Sequence, residues 1–300
     1  MIKSFRRIEF FLLIFAAFLG LSLGNALMAQ TKIQMAVSIL PQVEFVENVG
    51  GPYVDILELV PPNSSPEIYE PTPGQMKELS RVAAYFKIGT NLDFELSLLG
   101  KMAAINPRML IIDCSKGIKI IDLPGNNLSP ADSQSHHHGL HDPHIWNSLK
   151  NAKIIIDNIA AGLIAIDSIH KEDYLKNAQT YKLKLDSLNN EIAAALLKKK
   201  NNSFIVLHPA WGYFARDYGL TQLSIESEGK EPSVMDIKNL VNFARAQKLT
   251  TVFASPQFNS ESAKTVAAEI GGTVEYIDPL AGKYLVNMRD VADKIARSLR

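Results

Sequence analysis

Histidine is the residue type whose spacing first suggests chemistry in this sequence. Of its seven histidines, five fall within nine consecutive positions, in the stretch SQSHHHGLHDPHIW. These five are His136, His137, His138, His141 and His144. Clustered imidazoles are typical of sites for zinc, iron and other transition metals, since neutral imidazole is a common ligand for these ions. We expect the first four, in a polar stretch that includes a glycine, to bind ions weakly as an auxiliary capture loop.

Two histidines are placed to bind an ion more tightly. His144 follows Pro143 and lies directly before a predicted long helix, so a rigid segment holds its ring. His208 comes directly after the apolar run FIVL and before Pro209, where a buried strand is expected to end. Oriented imidazoles hold metal ions more strongly than those of a loose loop. A histidine at a strand end can equally be a hydrogen-bonded core group, and its position alone leaves both roles open for His208.

Carboxylates occur at similar places in the chain. Asp278 follows a predicted strand in TVEYIDPL, and Glu67 and Glu70 lie in the proline-rich stretch VPPNSSPEIYEPTP. Such carboxylates can also be helix caps or solvated groups. Two imidazoles and two carboxylates from four loops would nevertheless suit a tetrahedral site for a divalent ion.

The elements that must position these residues form two series of short apolar runs, each alternating with helical patterns. Alternation of this kind predicts parallel βαβ units. Residues 147–200 show no strand pattern and instead have apolar residues at helical spacing. We therefore expect two α/β lobes joined by helices, with a ligand site where the carboxyl ends of the strands converge. The predicted strands are 33–38, 54–59, 84–88 and 109–113, then 204–207, 222–225, 252–254 and 274–277.

Composition excludes several other classes of protein. Lys+Arg and Asp+Glu both number 31 in the 300 residues, so no basic surplus indicates a nucleic-acid partner. The single cysteine, Cys114, excludes an intramolecular disulfide framework, a thiolate zinc finger and an iron–sulfur cluster.

The first 26 residues have the pattern of a secretory signal. A positively charged start precedes an apolar run over 10–23, and small residues follow. Cleavage is expected after Ala26 or Ala29, and the alternative is an uncleaved anchor. The apolar run is shorter than the roughly 20 residues of a membrane span. No cysteine lies near the cleavage region, so we expect no lipid anchor there and place the mature protein in the periplasm.

Five segments, in this order along the chain, carry a resemblance to a known family: PPNSSPEIYEPTP, HDPHIW, HPAWGYFARDYGL, FASPQFNSESAKTVAAEIGG and YIDPLAG. The sequence resembles the metal-binding solute receptors of ABC importers, and among them the periplasmic zinc-uptake type, over essentially the whole chain after the signal. The resemblance implies one ion in a cleft between a lobe of residues 31–146, including a His-rich loop at 133–144, and a lobe of residues 171–300. A long rigid helix over 147–170 would join the lobes.

The same resemblance implies partners. The receptor would dock on an inner-membrane permease driven by a cytoplasmic ATPase. We expect a monomer with no nucleic-acid partner and no integral membrane segment once the signal is removed.

Carried over residue by residue, the resemblance implies the ligands Glu67, His144, His208 and Asp278. The family's usual Pro-His-x-Tyr-Glu-Pro-Thr-Pro has glutamate at its histidine position here, Glu67, which makes the site harder and moves its preference toward Mn²⁺ or Fe²⁺. Zn²⁺ remains the expected cargo, because the imidazole-rich loop resembles that of zinc-type members and zinc lies high in the intrinsic affinity order. Glu70 would either bind an imidazole N–H or substitute for Glu67.

The competing class is a secreted zinc hydrolase. The sequence lacks HExxH, and four protein ligands leave little room for an activated water. We therefore expect capture of an ion and no enzymatic activity. Binding should release protons, with affinity falling below about pH 6 as the histidines become charged.

Overall fold

The computed structural model describes residues 31–90, 92–122, 141–226 and 232–300. The predicted signal segment lies outside these ranges. Two four-stranded sheets are present within them, and every strand pairing in both is parallel. The strands of the first sheet are β1 (Ile33–Val37), β2 (Val54–Glu58), β3 (Ala84–Lys87) and β4 (Leu110–Asp113), and those of the second are β5 (Ser203–Val206), β6 (Thr221–Ser224), β7 (Thr251–Ala254) and β8 (Thr273–Tyr276).

Helices connect the strands and link the two sheets. The expected two-lobe α/β class with parallel sheets is confirmed, and no strand occurs among residues 147–200, all of which are described. The helices are α1 (Leu40–Gly50), α2 (Pro73–Leu79), α3 (Asp93–Ile105), α4 (Leu149–Ile166), α5 (Lys171–Leu196), α6 (Gly212–Tyr218), α7 (Val234–Ala246), α8 (Glu261–Glu269) and α9 (Tyr284–Ser298). No helix within the described ranges has both the length and the apolarity needed to cross a bilayer.

Local sequence signals set several helix starts near the strand ends. Thr72 accepts a hydrogen bond from the backbone N–H of Gln75, whose side chain accepts one from Thr72 N–H, so a capping box with Pro73 begins α2. Ser148 likewise caps α4 by accepting from Asn151 N–H. These caps fix where the loops before α2 and α4 end.

Both sheets have the same strand order. It is β2-β1-β3-β4 in the first and β6-β5-β7-β8 in the second. In each sheet, the second strand along the chain pairs with one side of the first strand, and the third strand pairs with its other side. Such switch points open a crevice at the carboxyl ends of the strands, where ligands of α/β proteins bind.

Helices α4 and α5 pack on each other, and both pack on α1. In α4, the fully buried Ile155, Ile156, Ile159 and Leu163 recur at helical spacing and form the packed face. The 26-residue helix α5 also contacts α9. Its Tyr181 hydroxyl donates to Glu44 of α1 at 2.6 Å. Helix α5, placed by the sequence in the second lobe, thus packs on helices of both halves of the chain.

Candidate metal site

Three of the residues expected to bind metal meet at one point. The ligand atoms of Glu67, His144 and His208 all lie within 4.8 Å of one another. His208 Nε2 is 3.3 Å from His144 Nε2 and 3.3 Å from Glu67 Oε1, and His144 Nε2 is 4.0 Å from the same oxygen. The two imidazole rings are almost wholly buried, with 5% of His144 and 4% of His208 exposed.

These separations fit a tetrahedral ion. Zinc binds imidazole nitrogen and carboxylate oxygen at about 2.0–2.2 Å, so two ligand atoms at a tetrahedral angle lie about 3.3–3.6 Å apart. Two edges of the observed triangle have that length, and the third, between His144 and Glu67, is only slightly longer. The three atoms can therefore occupy three corners around one ion with little rearrangement.

The fold brings these side chains together from distant parts of the chain. Glu67 lies in the loop between β2 and α2, and His144 lies just before the short 3₁₀-helix Ile145–Asn147. His208 is two residues beyond the last residue of β5. Because β5 is the strand at the switch point of its sheet, His208 enters the crevice there.

A buried carboxylate orients His144. Asp142 is fully buried and its Oδ1 accepts from both Nδ1 of His144, at 2.8 Å, and the backbone N–H of His144, at 2.9 Å. Since an ionised carboxylate only accepts, Nδ1 must carry the proton, and Nε2 presents its lone pair to the site. A Cβ on Gly212 would lie 2.5 Å from the other oxygen of Asp142, so this close approach requires glycine.

A second carboxylate does the same for His208. The backbone N–H of Glu226 donates to Leu207 O at 3.0 Å, which extends the pairing of β5 and β6 and sets Glu226 beside His208. Its Oε2 is 3.2 Å from His208 Nδ1. Phe258 stacks on the ring of His208, with the two ring centroids 4.3 Å apart and an interplanar angle of 18°. Each imidazole therefore has one nitrogen fixed by a carboxylate and the other directed at the common point.

Sequence analysis missed both Asp142 and Glu226. Asp142 lies within the HDPHIW segment, and Glu226 stands after the apolar strand QLSI as His208 stands after FIVL. The strand-end position that singled out His208 could therefore have indicated Glu226 as well.

The charged groups of the site change the pKa values of His208 and Glu67. Burial by itself would lower the pKa of His208, but the hydrogen bonds and charges of Glu226 and Glu67 raise it to about 9. Burial would raise the pKa of Glu67, yet the hydrogen bond and charge of His208, together with the charge of His144, lower it. Without an ion, Glu67 is therefore an anion beside a protonated His208 at neutral pH.

The buried Asp142 should contribute to zinc affinity through its hydrogen bond to His144. Changing Asp142→Asn removes the charge that fixes the ring of His144, and we expect zinc affinity to fall about 10- to 100-fold. Competition with a chelating dye measures the change. Asp122→Asn is the matched control, because Asp122 bonds to the exposed His141 at 2.9 Å, with 55% of that side chain exposed. Equal losses in the two variants would contradict a role for Asp142 in orienting His144.

Asp278 does not join the three-residue group in this structure. Its Oδ1 accepts from Gln257 Nε2 at 2.7 Å and from Leu280 N–H at 2.8 Å. The two residues that follow it, Pro279 and Leu280, line the same pocket as Glu67. Its role as a fourth ligand stays a prediction. Glu70 is exposed.

The His-rich loop can be located only at its base. Predicted capture residues His136, His137 and His138 lie outside the described residues. His141 pairs with Asp122 in an isolated antiparallel bridge, which closes the base of that loop two residues before Pro143.

The segment that carries His144 bonds to both halves of the protein. Thr90, which follows β3, donates to Pro143 O at 2.8 Å. On the other side, Trp146 Nε1 donates to Pro279 O at 2.7 Å, and the Tyr284 hydroxyl of α9 donates to Trp146 O at 2.6 Å. The buried bond between Trp146 and Pro279 thus ties the segment of His144 to the loop that contains Asp278.

The pocket at the site is very small. Its lining is partly polar and partly apolar. Its volume is about 10 Å³, about that of one water-sized sphere. The lining residues are Ser65, Pro66, Glu67, His144, Trp146, His208, Phe258, Pro279 and Leu280. A space of this size suits a single ion and not a sugar or an amino acid.

The sequence and the fold of this chain are similar to those of zinc-uptake proteins. The sequence matches the family described as zinc-uptake complex component A, periplasmic, over residues 35–298. A crystal structure of ZnuA is 39% identical in sequence, with a TM-score of 0.82 over 90% of this chain and 100% of that one. A second, of a ZnuA deletion mutant with zinc bound, is 40% identical with the same TM-score over 89% of this chain and 98% of that one.

More distant relatives bind zinc or manganese. The zinc-binding protein AdcA of Streptococcus pyogenes is 27% identical over 274 residues, 87% of this chain but 53% of AdcA. This chain thus spans about half the length of the curated relatives it matches. A manganese-bound periplasmic metal-binding protein of Candidatus Liberibacter asiaticus is 22% identical, with a TM-score of 0.77 over 90% of this chain and all of the other. That likeness concerns the fold alone.

Proposed function

This chain belongs to the family of periplasmic components A of zinc-uptake complexes, and from that premise we propose that it captures one Zn²⁺ ion and delivers it to an ABC permease for import. One observation carries the proposal. Two carboxylate-oriented imidazoles and the Glu67 carboxylate form three corners of a tetrahedron in a buried pocket of single-ion size. Imidazole nitrogens and a carboxylate oxygen at this spacing are the donors of a tight zinc site.

The cleft position suits transport better than catalysis. We propose that the lobes correspond to residues 31–146 and 171–300, with 147–170 as the linking helix. A catalytic zinc site needs an open coordination position that a substrate can reach, whereas this pocket has a volume of only about 10 Å³, too little for a peptide or an ester beside the ion. A cytoplasmic ATPase behind the permease, a monomeric receptor and a location in the periplasm complete the proposal.

Manganese or iron is the second candidate cargo, and Glu67 is the specific reason. A carboxylate in place of imidazole favours harder ions, while two imidazoles favour zinc. The proposed order of affinity is zinc above manganese, because zinc binds more strongly than manganese to any nitrogen–oxygen site of unconstrained geometry.

Titration of the metal-free protein tests the proposal. We expect one zinc ion per chain by elemental analysis, no hydrolysis of peptide or ester substrates, and displacement of manganese by zinc. In the host bacterium, deletion of the gene should slow growth under zinc chelation, and the wild-type gene should restore it while His208→Ala does not. Turnover of a substrate by the zinc-loaded protein, or restoration by His208→Ala, would contradict the proposal.

Glu67→His provides a sharper test of the cargo. A third imidazole softens the donor set, so we expect the ratio of zinc to manganese affinity to rise at least tenfold. Competition between the two ions, followed by elemental analysis, measures the ratio. Glu70→His is the matched control, since Glu70 is exposed on the same loop. An unchanged ratio in Glu67→His would mean that Glu67 does not bind the ion.

A further inference from the structure

The loop that follows β7 contacts the site through two adjacent residues. Phe258 stacks on His208. Gln257, directly before it, donates Nε2 to Oδ1 of Asp278 at 2.7 Å. The segment FASPQF carries part of the family resemblance but none of the predicted ligands, so neither residue has a role in the expected coordination.

The two oxygens of Asp278 have different surroundings. Oδ1 accepts two hydrogen bonds, from Gln257 Nε2 and from Leu280 N–H. Among the described residues, none donates to Oδ2. Carboxylates that bind metal are commonly held by hydrogen bonds as well, and these outer contacts orient them. Oδ2 is thus the oxygen left for an ion, although Asp278 lies outside the group of Glu67, His144 and His208 in this structure.

The other end of the Gln257 amide indicates what keeps this residue in place. Its Oε1 is buried and accepts no hydrogen bond from any described residue. An ionised Asp278 can only accept, so Nε2 must face it and Oε1 is left without a donor. A buried oxygen without a partner costs free energy. The contribution of the Gln257 amide at this position is therefore its hydrogen bond to Asp278.

We propose that Gln257 is a positioning residue, which holds Oδ1 of Asp278 so that Oδ2 completes the coordination begun by Glu67, His144 and His208. This inference rests on the proposed function, in which Asp278 is the fourth ligand. Gln257 and Asp278 follow the neighbouring strands β7 and β8. The alternative is that their bond only ties two loops of the sheet together.

Four variants of the full chain distinguish these roles: Gln257→Leu, Asp278→Ala, the double variant, and Gln247→Leu as a control. Gln247 is exposed at the end of α7, in the same lobe. We expect Gln257→Leu to weaken zinc binding about tenfold or more, Asp278→Ala to weaken it further, and the double variant to match Asp278→Ala alone. Gln247→Leu should leave the Kd unchanged.

The contrary outcomes are separable. If Gln257→Leu lowers only the unfolding temperature of the metal-free protein and leaves the Kd unchanged, or if its loss adds in full to that of Asp278→Ala, Gln257 is not a positioning residue. If Asp278→Ala binds zinc as the wild type does, Asp278 is not a ligand and the inference fails with it. Zinc capture by the other three residues would still stand, as tested by His208→Ala.

Discussion

Zinc binding is expected to weaken by more than about a hundredfold when His208 is changed to alanine. His208 Nε2 is within 3.3 Å of both other ligand atoms of the site, so its removal takes away one corner of the coordination and leaves Glu67 without its closest partner. Loss of an outer hydrogen-bond partner of a metal ligand typically costs 10- to 100-fold in affinity, and loss of the ligand itself should exceed that. Competition with a chelating dye at pH 7.5 measures the Kd.

His144→Ala should give a loss of similar size, for the same geometric reason. His170→Ala is the matched control, because His170 follows α4, stacks on Tyr53 and does not belong to the group of three ligands. His141→Ala, at the base of the His-rich loop, should cost far less than either ligand variant. Circular dichroism of the metal-free variants distinguishes lost binding from lost folding. If the substitutions at His208, His144, His170 and His141 all weaken binding equally, the metal site has been assigned to the wrong histidines.

The second large effect concerns pH. His208 must lose its proton to bind an ion, and its pKa of about 9 without metal means that the proton is present at neutral pH. Below that pKa each unit of pH lowers the neutral fraction about tenfold, so apparent affinity should rise about tenfold per unit between pH 7 and 9 and then level off. Glu67, with its lowered pKa, stays ionised throughout this range and adds no slope.

Calorimetry in buffers of different ionisation enthalpy measures the protons released, and we expect about one per zinc ion at pH 7. Glu226→Gln removes one of the carboxylates that raise the pKa of His208, so its affinity should level off at a lower pH than that of the wild type. An affinity that is already constant above pH 7 in the wild type would contradict the prediction. The sequence predicted a fall only below about pH 6, because Glu226 was not identified and the contact of Glu67 with His208 was not known.

The sequence predicted the fold class and most strand positions closely. For example, the expected strand at 204–207 is displaced by one residue from the observed Ser203–Val206, and the one at 54–59 is one residue longer than Val54–Glu58. Apolar runs of this kind are typical of parallel strands, which helices cover, so their composition marks them. Helix α9 was not predicted, although its buried Met288, Val291, Ala292 and Ile295 follow helical spacing.

The candidate site was predictable in part. Glu67, His144 and His208 were named from their positions after strands or before a helix, and the structure brings their ligand atoms together. Asp142 and Glu226 were missed because a carboxylate matters here only when it faces an imidazole nitrogen. For Glu226 the strand-end position was a signal, but its contact with His208 depends on the pairing of β5 with β6. Asp142 is only two residues from His144, yet its spacing alone does not show that its side chain turns to the Nδ1 of that ring.

The residue types of this chain by themselves determined its chemistry: imidazoles and carboxylates, one cysteine, and no surplus of charge. Its apolar patterns predicted two parallel sheets, since short apolar runs that alternate with helical patterns are typical of βαβ units. Only the tertiary structure decided which oxygen faces which nitrogen, how strongly His208 holds its proton, and that the His144 segment bonds to the loop of Asp278. Coordination and proton affinity depend on distances of a few ångströms between residues far apart in the chain, such as Glu67 and His208, and these distances are set by packing.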